Sequence, residues 1–135
     1  MSRKAARDSA FKIIYQTPFH CELTDNEKVM EVFLSDDSQQ KLNQQDLEYV
    51  RQTVNNCFEN LESIDECLNG SLKNWTLSRI SKVNLAIMRL SLAEIKYGDI
   101  PYQISINEAV ELAKKYSDDD APAFVNGVLA DVIKE

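Results

Sequence analysis

The chain is poor in residues that interrupt or staple a backbone: its 135 residues include three Gly, three Pro and three Cys. So few turn formers argue against a sandwich or barrel of many short strands, and against collagen-like or linker-rich classes. The cysteines Cys21, Cys57 and Cys67 are odd in number and contain no CxxC pair. That pattern suits a reducing compartment better than a disulfide framework. No apolar run approaches the roughly 18 residues of a membrane span, and the charged N-terminus carries no apolar signal segment, so the expected location is cytoplasmic. The single histidine, His20, has no recognisable Ser or Asp partner, and no glycine-rich phosphate loop is present. No enzymatic activity and no cofactor are expected.

The remaining composition, 44% hydrophobic and 27% charged, is that of a folded domain, and the length fits one domain over residues 1–135. The formal charge of −7 is unevenly spread: +3 over residues 1–20, −9 over 21–70, +4 over 71–97 and −5 over 98–135. The net sign discourages a nucleic-acid reading, which usually needs a basic domain. Two local basic segments survive on a chain otherwise kept soluble by acid. The plain alternative is charge scattered over solvated helix faces.

Apolar residues recur at helical spacing almost throughout, which predicts an all-α bundle of about seven helices. Ala6, Ala10, Ile13 and Ile14 mark a first helix from about Arg3 to Tyr15. Thr24 and Glu27 have the spacing of a capping box and open a short second helix through Phe33. A third follows the loop 35–43 with the stripe Leu47, Val50, Val54, Phe58 and Leu61, and Ser63 is the expected cap of a fourth. Residues 75–80 read as a short helical turn. A longer helix spans about Ser81 to Tyr97, closed by Gly98 in a left-handed cap. Ser105 and Glu108 form a second capping-box pattern, opening Ile106–Tyr116. After Asp118–Asp120, Pro122 belongs to the first turn of a last helix, where a missing N–H costs little.

Chemistry-bearing clusters are few. His20 and Cys21 could seed a zinc site with Cys57 and Cys67, but structural zinc favours close ligand pairs, and Cys57 and Cys67 fall near apolar stripes, so no metal is expected. Asp118–Asp120 reads as a solvated flank whose carboxylates favour the positive end of the helix dipole. On the first helix, Arg3, Arg7, Phe11 and Tyr15 form a row at i+4 steps, with Lys4 beside it. Cations next to rings suit a single-stranded nucleic acid, with phosphates on the cations and bases on the π faces. Equally, the rings border the apolar face and belong with the core.

Several blocks recur in order along nearly the whole chain. They are Arg3 with Ala6-Arg7, Ala10 and Tyr15-Gln16; Asp46 with Tyr49; Ile64-Asp65; Trp75-Thr76-Leu77-Ser78-Arg79-Ile80; and Val83 with Ala86-Ile87 and Arg89. Ile100-Pro101 follows, then Ile106-Asn107-Glu108-Ala109-Val110-Glu111-Leu112-Ala113-Lys114 with Tyr116, and Phe124-Val125-Asn126-Gly127-Val128-Leu129. With these blocks the chain resembles the NusB family of bacterial transcription antitermination factors.

The resemblance implies an all-helical, non-enzymatic protein that binds boxA RNA of leader and ribosomal RNA transcripts. It implies the ribosomal protein NusE as direct partner, with other Nus factors and RNA polymerase reached through the complex. Carried over position by position, the RNA contacts are Arg3, Lys4 and Arg7 on the first helix, Phe124 stacking on a base, and Asp120 at the RNA edge. Asn84 and Glu94, on the long central helix, are the expected ribosomal-protein contacts. Gly127, inside a helix, implies close helix packing, since glycine there costs roughly 1 kcal/mol relative to alanine.

Asp8 and Ser9 stand where the family often has further basic residues, Asn84 stands where an acid is usual, and Ala121 and Ala123 replace a common Ser and Lys. These departures imply weak RNA affinity for the protein alone, rising with its partner. Two other classes stay open at this point. One is the front domain of a ribosomal-RNA cytosine methyltransferase, for which a chain ending at Glu135 leaves no room for a cofactor fold; the other is a helical adaptor that binds protein but no RNA. A monomer and a homodimer that masks its RNA face are equally compatible with the sequence.

Overall fold

The computed structural model describes residues 3–16, 43–72 and 80–134. These form six α-helices: α1 (Arg3–Gln16), α2 (Gln44–Glu59), α3 (Leu61–Ser71), α4 (Lys82–Tyr97), α5 (Tyr102–Tyr116) and α6 (Ala121–Lys134). The expected capped helix from Thr24, and most of the expected turn at 75–80, lie outside the described residues. The all-α architecture agrees with the periodicity.

The bundle is organised around α4. Nine consecutive residues, Ala86–Glu94, are buried, so this helix has no solvent face over two and a half turns and must be covered on every side. It touches each of the other five described helices. Its apolar residues Ile87, Met88, Leu90 and Leu92 meet Ala6, Ala10, Ile13 and Ile14 of α1, Val50 and Val54 of α2, and Val125 and Leu129 of α6 in one core. A helix enclosed in this way cannot carry polar groups without partners. Arg89 is accordingly held in a two-pronged ion pair by Asp65 of α3, with both N–O distances 2.8 Å. The other buried charge, Glu94, is the centre of the site described below.

Several local expectations are corrected. Asn43 caps α2, its side chain accepting the Asp46 N–H at 2.8 Å. Helix α3 follows after Asn60 alone, so Ser63 lies within its first turn and caps nothing. Gly98 ends α4 with φ −113°, outside the left-handed region, which is taken instead by Asp99 at φ 56°. What Gly98 relieves is crowding: a Cβ there would lie 3.0 Å from the Glu94 carbonyl oxygen, so the backbone would have to give by a few tenths of an ångström. Helix α5 begins at Tyr102, behind Pro101, so Ser105 and Glu108 are interior helix positions and not a capping box. A Cβ at Gly127 would meet nothing within 4 Å among the described residues, so no packing among them requires a glycine there.

Candidate nucleic-acid interface

Helix α1 turns its apolar stripe into the bundle and its polar flank towards α5: Lys4 meets Glu108, and one turn further Asp8 meets Lys115 and Tyr116, which lie about two turns beyond Glu108. A groove of about 400 Å³ runs between the two helices, lined by Lys4, Arg7, Asp8, Glu108, Lys114 and Lys115 among others. Lys4 is exposed, and its ammonium lies 3.4 Å from Glu108 Oε1. Arg3 is the first residue of α1, and its side chain lies outside the described residues.

Arg7, expected to reach RNA phosphates, points the other way. It is 5% exposed, and its Nε donates to Glu94 Oε2 at 2.7 Å while its Nη1 lies 3.7 Å from Glu108 Oε1. Burial alone would lower the Arg7 pKa, but Glu94 together with Tyr49 and Glu108 outweighs it and keeps the guanidinium charged. The expectation that Glu94 faces a protein partner is corrected for the same reason. Its side chain is 1% exposed and takes three donors from three helices: Arg7 of α1, the Tyr49 hydroxyl of α2, and the Ser105 hydroxyl of α5 at 2.7 Å. Because Ser105 spends its one proton on Glu94, the Ser91 hydroxyl, 2.8 Å away, donates to Ser105 in turn. Burial and the neighbouring Glu94 charge both hold the Tyr49 hydroxyl protonated, with its pKa well above the usual tyrosine value. Buried charges must be paired, and the i+4 row on α1 carried no sign of which arginine would be drawn inward.

A second cavity, of about 340 Å³, lies where α4 begins and α5 hands over to α6. Asn84, Asp120 and Phe124 all line it, together with Ile80 and Ser81. Asn84 is set by two hydrogen bonds: its backbone N–H caps onto Ser81 Oγ at 3.1 Å, and its side-chain oxygen accepts from Ser117 Oγ at 2.8 Å. Phe124 is half-buried in the first turn of α6, packed against the core yet bordering the cavity, and Asp120 is exposed. Three of the expected site residues therefore meet at one place, drawn from distant parts of the sequence.

The two cavities are joined by the end of α5. Lys115 lines the groove and Ser117 holds Asn84 at the second cavity, and two residues span at most about 7 Å. Between them stands a group that the sequence reading did not single out as a site. The Asp8 carboxylate accepts from Lys12 (3.1 Å), Lys115 (3.2 Å) and the Tyr116 hydroxyl. Burial opposes the Asp8 charge, but Tyr116, Lys12 and Lys115 outweigh it and hold the carboxyl below its usual range. The Tyr116 ring is stacked on buried Phe11 at 5.0 Å, Phe11 on exposed Tyr15 at 6.0 Å, and both ammonium groups lie over the Tyr116 ring. The available signal was the Asp8–Lys12 pair at i+4 spacing and the lysine pair in the last turn of α5.

Among the described residues no three His, Cys, Asp or Glu side chains converge as metal ligands, and His20 and Cys21 lie outside those residues. Cys57 is buried in the core, which pushes its thiol up to about 12 and leaves it unreactive. No described helix is long and apolar enough to cross a membrane.

Comparison with known proteins agrees with the all-helical fold. The model of the NusB family matches residues 4–134. The transcription antitermination protein NusB of Ruminiclostridium cellulolyticum is 41% identical over 135 residues, covering 99% of this chain and 90% of the relative. Among solved structures, T. maritima NusB superposes with a TM-score of 0.86 at 31% identity, over 100% of this chain and 92% of that one. A crystal structure of antitermination factors NusB and NusE in complex with dsRNA gives a TM-score of 0.85 at 27% identity, over 98% and 96% of the two chains.

Proposed function

The chain belongs to the NusB family, and from that premise we propose that it is a transcription antitermination factor. It binds boxA-type single-stranded RNA together with the ribosomal protein NusE and promotes read-through during ribosomal RNA synthesis. Other Nus factors and RNA polymerase are engaged through that complex, in the cytoplasm. The observation that carries this reading is the meeting of Asn84, Asp120 and Phe124 around one cavity. An RNA base stacked on Phe124 and a protein surface set against Asn84 would then touch, which gives a physical reason for RNA and partner to bind cooperatively.

In this assignment Lys4 supplies a phosphate contact from the groove rim. Phe124 offers its ring for stacking at the cavity edge; in the first turn of α6 the Ala121 and Phe124 N–H groups are already bonded to the Asp118 and Asp120 carbonyls and Pro122 has none, so the ring itself is the contact. Asp120 stands at the same edge, where a carboxylate accepts from base amino groups. Arg7 and Glu94 act from inside, holding α1 against α4.

The test is a filter-binding titration with boxA RNA, with and without NusE, at two salt concentrations. Weak binding alone and tight binding with NusE are expected. Phe124→Ala costs roughly 1–3 kcal/mol of RNA affinity if its ring stacks on a base. Thermal unfolding of the same variant separates lost stacking from lost core packing. Tight binding at physiological salt without NusE, or full affinity of the alanine variant, defeats the assignment.

A further inference from the structure

We propose that Lys12, Lys115 and the Tyr116 hydroxyl form a phosphodiester site on the RNA face, which the Asp8 carboxylate occupies while RNA is absent. The inference rests on the RNA-binding reading above and names a contact that neither the basic start of α1 nor the Phe124 cavity supplies.

Three donors from two helices converge on one carboxylate: Lys12 on Oδ2, and Lys115 with the Tyr116 hydroxyl on Oδ1. Two cations and a hydroxyl around a pair of oxygens is the donor set that a phosphate diester takes. The donors are held in place, because the Tyr116 ring rests on buried Phe11 and carries both ammonium groups over its face. Exposure is graded outward. The Asp8 side chain is 19% exposed, against 40% for Lys12 and 62% for Lys115, so a phosphate arriving from solvent meets the ammonium groups before the carboxylate. Each ammonium has three protons and can serve an outer oxygen while releasing or sharing the inner one.

The other cations of the groove are similarly matched. Lys4 faces Glu108, Lys114 faces Glu111, and Arg7 is taken by Glu94 and Glu108. RNA therefore binds here by exchange: a phosphodiester replaces a carboxylate that already neutralises the site. Exchange reduces the net gain from each contact, which accounts for a face that holds RNA weakly until a partner adds its own contacts.

The experiment measures binding of a labelled boxA-type single strand by fluorescence anisotropy, with NusE present, across a salt series. Asp8→Asn keeps the shape and removes the internal anion. A unit charge about 6 Å from a phosphate, in a setting close to water, predicts roughly three- to tenfold tighter binding. The salt slope steepens by about 0.7 for each lysine released to a phosphate. Glu62→Gln, at an exposed position of α3, makes the same change in net charge away from the face and leaves both readouts unchanged. Adding Lys12→Ala and Lys115→Ala to Asp8→Asn abolishes the gain. Lys115→Ala alone, at an exposed position, gives a shallower slope even if the Asp8 variant folds poorly. Equal affinity and slope for Asp8→Asn and wild type, with wild type binding RNA, overturns the proposal and leaves the antitermination reading standing. Failure of every variant to bind RNA, with or without NusE, overturns both.

Discussion

Glu94 and Asp8 each collect three donors from separate parts of the fold, yet one is sealed and the other open. The Glu94 and Arg7 side chains are both buried, while Asp8 sits behind lysine side chains that are 40% and 62% exposed. The chemistry is alike and the consequences are opposite. A sealed carboxylate surrounded by donors has no competitor, so it fixes the angle between helices. An open one shares its donors with whatever anion arrives, so it sets affinity. Glu94 can therefore matter to the proposed interface without touching it, by holding α1 in place through Arg7.

The largest effect that separates the two is on stability. Glu94→Ala strands the buried Arg7 guanidinium together with the Tyr49 and Ser105 hydroxyls, and breaking a buried pair from one side costs about 3–5 kcal/mol. Urea unfolding should show that loss, and RNA binding should fall with the folded fraction. A loss under about 1 kcal/mol would mean that Glu94 does not hold the bundle. Ser105→Ala is a milder version of the same cut. It leaves Glu94 Oε1 without the donor at 2.7 Å and should cost roughly 1–3 kcal/mol, with no change in the salt dependence of RNA binding. Asp8→Asn reverses the pattern: screened and solvent-facing, it should cost under about 1 kcal/mol of stability while RNA affinity rises.

How far the sequence foresaw this division follows from the kind of signal each part left. The stripes Ala6-Ala10-Ile13-Ile14 and Val50-Val54 mark buried faces by period alone, and those faces are buried. The Ser105–Glu108 spacing misled because a polar pair three residues apart has the same appearance at a helix start and inside a polar core; only the position of Pro101 distinguishes them. Arg7 and Glu94 read as surface residues because 87 positions separate them in the chain, and no local pattern announces so distant an ion pair. Asn84 lies far from Asp120 and Phe124 in the sequence and shares no local pattern with them, and only the packing of α4, α5 and α6 brings the three around one cavity. Gly127 offers no such resolution: nothing among the described residues accounts for a glycine there.

The comparison is sharpest in its pH dependence, because the two sites fail at opposite ends. Asp8 is depressed in the folded protein: burial opposes the charge, but Tyr116, Lys12 and Lys115 outweigh it. In the unfolded chain Asp8 titrates near the usual ~3.9. The unfolded state therefore takes up its proton first on acidification. The stability that Asp8 contributes is complete above that value and disappears as pH falls through the lower folded value. Tyr49 is shifted upward by burial and by Glu94, so its contribution is complete below the unfolded tyrosine value of ~10 and is lost as pH rises beyond it. Urea unfolding of wild type against Asp8→Asn should thus give a gap that is flat at neutral pH and closes on the acid side. Wild type against Tyr49→Phe should give a gap that closes only on the alkaline side. If both gaps closed in acid, the Tyr49–Glu94 contact would not be the sealed one; if neither closed there, Asp8 would not be held by its three donors.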